Sequence, residues 1–151
     1  MSTAFEGAMD KLAKYFNIPT DSNLQSPMEL VLEGMTLTLY YSNASGEDDI
    51  VFSTSLGVIS EQVELSVYRT ILEGNLFWSA TGDATIGVNS DTREAFLCYK
   101  MPLENFDGDE LASLVVHFLQ IGENWKVFIA ESNQEDQSPS TVEINNDFLK
   151  V

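Results

Sequence analysis

Tyr68-Arg-Thr-Ile-Leu-Glu-Gly-Asn-Leu-Phe77 decides how this chain folds, because it is apolar around too much of its circumference. Val63, Val67, Ile71 and Leu72 form one stripe at helical spacing, while Leu65, Tyr68 and Leu76 lie off it. A helix resting on one small sheet needs a single apolar face. The second face predicts a second contact, either another subunit or side chains tucked back onto the same sheet. This helix is expected to start at Ser60 as its cap and to reach about Trp78.

Strands flank it on both sides. Before it, Met28 to Leu32 and Thr36 to Tyr41 read as a hairpin around Glu33-Gly34, with Gly34 supplying a positive φ. The alternation from Thr36 to Leu39 marks a half-buried strand. A polar loop, Ser42 to Asp49, leads to a third strand from Ile50 to Leu56, ending near Gly57. After the helix come a fourth strand, Ala84 to Val88, and a fifth, Ala95 to Met101, stopped by Pro102.

A helix closes each end. Thr3-Ala-Phe-Glu6 reads as a capping box, and Phe5, Met9, Leu12 and Phe16 then recur at helical spacing beside Ala8 and Ala13. Asn17 suits the left-handed end of that helix, and Pro19 prevents its continuation. Asp107-Gly-Asp-Glu110 is a second capping box, followed by Leu111, Leu114, Val115, Phe118, Ile121, Trp125 and Phe128. The expected fold is therefore α/β in the α+β sense: an antiparallel sheet with helices, in the order α-β-β-β-α-β-β-α. Residues 1–130 form the domain, and the Ser/Gln/Asp/Pro-bearing stretch 131–151 is expected to be a flexible acidic tail.

Bulk composition limits the function. The chain has 151 residues, one domain's worth, and 44% hydrophobic content can supply a core. A formal net charge of −17 disfavours nucleic acid and anionic membrane surfaces, and favours encounter with basic partners. The N-terminus has neither the basic nor the apolar region of a signal peptide, and no apolar run is long enough to span a bilayer. With one cysteine, a disulfide within the chain is impossible. These features point to the cytosol.

No residue set suggests catalysis. His117 is the sole histidine and lacks the second one that a metal pair would need. Cys98, between Leu97 and Tyr99 in a strand, reads as a small core residue rather than a thiolate. Asp48-Asp49 reads as a solvated loop, and Asp107, Asp109 and Glu110 as a helix cap without the order of a calcium loop. Gly82 to Gly87 lacks the Lys-Ser/Thr of a phosphate loop. No enzyme activity, cofactor or metal is expected, and function must lie in a surface.

The order of elements resembles the class I type III secretion chaperones, the Tir chaperone or CesT-like family, over roughly residues 3–128. The resemblance rests on Leu56-Gly57 after the third strand, on Tyr68…Leu72-x-x-Asn75-Leu76, and on Leu103-x-x-Phe106-Asp107 before a helix closing with Trp125. Gly74 departs from it, since alanine more often precedes the asparagine. The resemblance implies a homodimer built on the second helix and fourth strand, here Leu65, Tyr68, Leu72, Asn75, Leu76, Ile86 and Val88. It also implies a type III effector's N-terminal segment as the partner, wrapped in extended form, and contact with the secretion ATPase. Physical reasoning adds that sheet edges and uncovered apolar residues could hold such a segment. The candidates are Phe5, Met9, Leu12, Leu30, Met35, Leu37 and Phe52. The alternative is a stand-alone α/β regulatory or ligand-binding domain of similar fold without a secretion role.

Overall fold

A computed structural model describes residues 3–19, 26–103 and 107–136. The elements run α1 (Thr3–Tyr15), β1 (Met28–Leu32), β2 (Met35–Ser42), β3 (Asp49–Val58), α2 (Glu64–Asn75), β4 (Thr85–Asn89), β5 (Glu94–Pro102) and α3 (Gly108–Asp136). Short 3₁₀ turns, Glu61–Val63 and Leu76–Trp78, flank α2. The expected order is met. The strands form one antiparallel five-stranded sheet in the order β1-β2-β3-β5-β4. No helix of the described residues is long and apolar enough to cross a membrane.

The two-residue period of the strands separates the sheet's faces. Leu37, Leu39, Ile50, Phe52, Leu56, Ala95 and Leu97 point to one side and are buried there under α1 and α3. The other side faces solvent. It carries a row running Thr38, Ser53, Cys98 and Thr85 across four strands. Cys98 is thus part-exposed on the open face, its sulfur 3.8 Å from the Ser53 hydroxyl, rather than in the core. The parity of β5 decides this, because Leu97 takes the inward position.

Two glycines let the helices come close. At Gly122 a Cβ would lie 3.0 Å from Thr54 Cγ2, so α3 crosses β3 there with its backbone near the sheet. At Gly74 a Cβ would meet the Trp125 indole at 2.5 Å, and the same indole donates to the Ala80 carbonyl at 2.8 Å. The departure of Gly74 from the family pattern therefore has a steric cause in this chain.

Two of the expected caps are in place, but Ser60 is not one: it precedes the 3₁₀ turn Glu61–Val63, makes no capping hydrogen bond with its side chain, and α2 starts only after Val63. Asn17 has φ 54°, and Ile18 N–H reaches back to the Ala13 carbonyl at 2.8 Å. Asp107 accepts from the Glu110 N–H at 2.7 Å, capping α3. Two further boundaries differ from expectation. β3 continues past Leu56 to Val58 through a bulge, with Gly57 at φ 97°. α3 runs through residues 131–136, so the boundary placed at residue 130 falls inside a helix. Asn133 anchors this end, accepting from Ser60 N–H and donating to the Val58 carbonyl, both at 2.9 Å. Residues 137–151 of the expected tail lie outside the described residues.

The loop between β2 and β3 is stapled at its base. Ser45 Oγ donates to Asp49 at 2.7 Å, Lys100 Nζ stands 3.3 Å from it, and Tyr41 donates to Asp48 at 2.6 Å. The Ser45 hydrogen bond holds the Asp49 carboxyl below its ordinary value; burial opposes this and Lys100 assists it.

Two measurements check these contacts. Gly74→Ala should destabilise the protein by about 1–3 kcal/mol in denaturant unfolding through overpacking, outweighing the helix-propensity gain of at most about 1 kcal/mol. An unchanged or raised midpoint would refute the close packing. Asp49 stabilises the fold above the unfolded carboxylate's pKa, and that contribution fades as pH falls through the lower folded value. Wild-type melting temperature should thus drop more steeply below about pH 4 than that of Asp49→Asn. Parallel curves would show that the staple contributes nothing.

Candidate functional site

Two regions at opposite edges of the sheet combine exposed apolar side chains or open backbone groups among the described residues. The first lies at α2 and β4. Val67, Ile71 and Gly74 turn α2 inward. Leu65, Leu72 and Leu76, at spacings of seven and four, turn outward and are 65%, 70% and 60% exposed. Leu72 thus belongs to the outward stripe alone, not to the inward one shared with Val63 and Ile71.

The chain then kinks. Phe77 and Trp78 adopt φ of 54° and 56°. Left-handed backbone costs an aromatic residue roughly 1 kcal/mol. Both side chains nevertheless stand in solvent, Phe77 at 84% exposure and Trp78 at 57%. The following segment is held by hydrogen bonds back to the end of α2. Ala80 N–H bonds to the Gly74 carbonyl at 3.1 Å, and Ser79 Oγ donates to the Glu73 carbonyl at 3.2 Å. The aromatic pair extends the leucine stripe, and nothing in helical periodicity singles it out.

The remaining residues expected at this surface divide. Asn75 works inside the protomer: its amide accepts from Ile86 N–H and donates to the Ile86 carbonyl, both at 3.0 Å. A side chain here takes the place of a neighbouring strand and closes the outer edge of β4 at that point. Ile86 is buried, Val88 half-buried, and neither belongs to the exposed stripe. Tyr68 is half-buried; burial first, then a hydrogen bond with Glu64, push its phenol above the ordinary range.

The second region lies at β1. No described strand pairs with its outer side. Leu30↔Leu37 and Leu32↔Met35 face each other across the hairpin, whose two-residue turn makes the Leu32–Met35 pair hydrogen-bonded. Alternation then points the backbone groups of Glu29 and Val31 away from β2. Beside this edge is a cavity of about 210 Å³ lined by Phe16, Leu32, Glu33, Met35, Val116, Leu119, Gln120 and Glu123. It opens between the end of α1, the β1–β2 turn and the middle of α3.

The seven residues expected to contact a peptide directly are placed otherwise. Phe5, Met9, Leu12, Leu30, Met35, Leu37 and Phe52 all belong to the core, none more than 5% exposed. Their apolarity serves the packing of α1 and α3 on the sheet, and only Met35 reaches the wall of the cavity. Groups of three or more His, Cys, Asp and Glu that could hold a metal are absent among the described residues. His117 is exposed on α3. What the surface offers is apolar area and an open strand edge.

The sequence profile of the Tir chaperone protein (CesT) family matches residues 8–126. The chain belongs to the Tir chaperone protein family. Solved structures of similar fold include the ExoT–SpcS complex from Pseudomonas aeruginosa, with TM-score 0.61, 18% identity and coverage of 82% of this chain and 98% of that one. The ExsC–ExsE complex gives TM-score 0.64 at 14% identity, covering 85% and 97%. The HopA1–SchA chaperone–effector complex gives 0.62 at 13% identity, covering 82% and 93%. Among curated proteins none matches by sequence. Asn75, inside the pattern that marked the chain as a Tir chaperone relative, is the residue that joins α2 to β4.

Asn75→Ala should remove both hydrogen bonds to Ile86 and leave its backbone groups unpaired, costing about 1–3 kcal/mol. Hydrogen exchange at the Ile86 amide should accelerate well beyond that of the core amides in β3. Equal protection in the variant would show that another group closes this edge.

Proposed function

We propose that this protein is a cytoplasmic bacterial chaperone of a type III secretion system, which holds the N-terminal segment of an effector in extended form before export. The observation that carries the reading is the unpaired edge of β1 beside the apolar cavity of Phe16, Leu32, Met35, Val116 and Leu119, in a member of the Tir chaperone family. A strand added along β1 would satisfy the outward groups of Glu29 and Val31. Its alternate side chains would face the helices, as those of Leu30 and Leu32 do, and one would enter the cavity. The effector in the similar HopA1–SchA complex is the model for such a partner. Binding of this kind needs no hydrolysis, since the ordering entropy of the segment is offset by the surface it covers.

The leucine stripe and the aromatic pair support a homodimer. Leu65, Leu72, Leu76, Phe77 and Trp78 together leave on the order of 600 Å² of side chain in solvent, near the upper end for a monomer's largest patch. A two-fold contact burying it on both copies reaches roughly 1,200 Å², the lower bound of stable interfaces. Contact with the secretion ATPase belongs to the same proposal.

Co-expression with the N-terminal segment of a candidate effector should give a stable complex, and Val116→Asp should abolish it while leaving the melting temperature within a few degrees. Leu72→Asp would place an unpaired charge in the dimer contact, costing several kcal/mol, and should yield monomers by sedimentation. A wild-type chain that sediments as a monomer at micromolar concentration removes the dimer. Capture of no effector segment by the wild type removes the chaperone reading.

A further inference from the structure

The mouth of the β1 cavity is acidic, and this bears on what it accepts. Its walls are apolar apart from Gln120, and Glu33 enters from the β1–β2 turn and Glu123 from α3. Both are exposed, and neither takes part in the ion pairs Lys14–Asp10 and Lys100–Asp49. Glu29 adds a third exposed carboxylate along the outer strand itself. Among the described residues, no lysine or arginine lines the cavity.

Resting on the chaperone reading of this site, we infer that the β1 groove selects an extended segment in which an aliphatic residue is followed or preceded, within two positions, by lysine or arginine. The aliphatic side chain seats against Phe16, Leu32, Val116 and Leu119. The cation stands at the mouth between the turn and α3, where the Glu33 and Glu123 carboxylates receive it. Charge complementarity chooses this occupant over the others. A second copy of this chain, at −17, brings few cations to an acidic mouth. An anionic lipid surface would be repelled from it. An acidic peptide would meet like charges across a strand pairing, which destabilises the pairing. A neutral apolar strand would fill the cavity but leave the carboxylates without partners.

The two parts of the site have separate tasks. Apolar contact in the cavity determines how long the segment stays, and the carboxylates determine which segments are chosen and how fast they arrive. The preference should therefore weaken as salt rises while the aliphatic requirement persists.

The test uses the full chain and three nine-residue peptides of alternating pattern, identical except that the central leucine is flanked by lysine, glutamine or glutamate. Binding is followed by amide chemical-shift changes at Leu32 and Val116, which register complexes into the millimolar range. The lysine peptide should bind most tightly and the glutamate peptide least. The double variant Glu33→Gln, Glu123→Gln should lower affinity for the lysine peptide roughly five-fold and leave the glutamine peptide unchanged, the size expected of exposed charge pairs. A control pair, Glu61→Gln with Glu131→Gln, removes the same charge elsewhere and should leave the ranking intact. Equal affinity for the lysine and glutamine peptides overturns the inference while sparing the groove as a peptide site. So does a control pair that costs as much as the cavity pair, because the attraction would then belong to the net charge. If none of the peptides moves Leu32 or Val116, the groove holds no extended chain, and both the site and its selectivity are lost.

Discussion

The contact between Trp125 and Gly74 fixes the geometry of everything on the α2 side of the molecule. The indole lies where a Cβ at Gly74 would have to be, and its N–H binds the Ala80 carbonyl. That joins α3, which is anchored on the sheet over Gly122, to the end of α2. The next residue, Asn75, is thereby brought within reach of Ile86 and ties α2 to β4. The three after it, Leu76, Phe77 and Trp78, are turned outward through a kink with two left-handed aromatic residues. Consecutive positions thus carry a packing contact, a strand closure and an exposed apolar surface. Each depends on the one before, and a side chain at residue 74 would disturb all of them.

The sheet divides its tasks by edge. At β4 the backbone is engaged by an amide side chain and shielded by a helix, so the neighbouring apolar stripe meets a partner through side chains. At β1 no described strand engages the outer backbone groups, and the apolar surface beside it is concave rather than raised. Convex leucines and aromatics suit a flat partner of the same kind, whereas a groove with open main-chain groups suits a chain with no structure of its own. These two surfaces lie at the ends of the strand order, so one can be occupied without obstructing the other.

Much of this was legible in the sequence, and the misses have physical causes. The apolar positions Leu65, Tyr68 and Leu76 off the main stripe showed that α2 is apolar beyond one face, and Leu65 and Leu76 are exposed; Leu72, read into the main stripe, joins them outside, while Tyr68 is half-buried. The Asp107–Glu110 cap was readable because its partners are three residues apart. Phe5, Met9, Leu12, Leu30, Met35, Leu37 and Phe52 were correctly read as apolar but wrongly placed at the surface. Hydrophobic pattern identifies a face without saying whether something covers it, and α1 and α3 cover this one. The cavity went unseen because it is a gap between elements: Phe16, Leu32 and Val116 are far apart in sequence, and no local pattern records an absence of packing. Phe77 and Trp78 were absorbed into the expected helix, because apolar side chains carry no local signal for the left-handed backbone they adopt.

The Asn75 closure also bears on how this protein behaves when crowded. An exposed strand edge is an invitation to any other exposed edge, including that of an identical molecule. A sheet with two such edges can join copies end to end without limit, as a heterologous contact that never closes. Here one end is plugged by an amide at Ile86. Two molecules meeting through β1 would form a pair and stop, with no second free edge at that position to continue the series. A chaperone that must keep an adhesive strand edge open can thus do so without becoming the seed of a fibre.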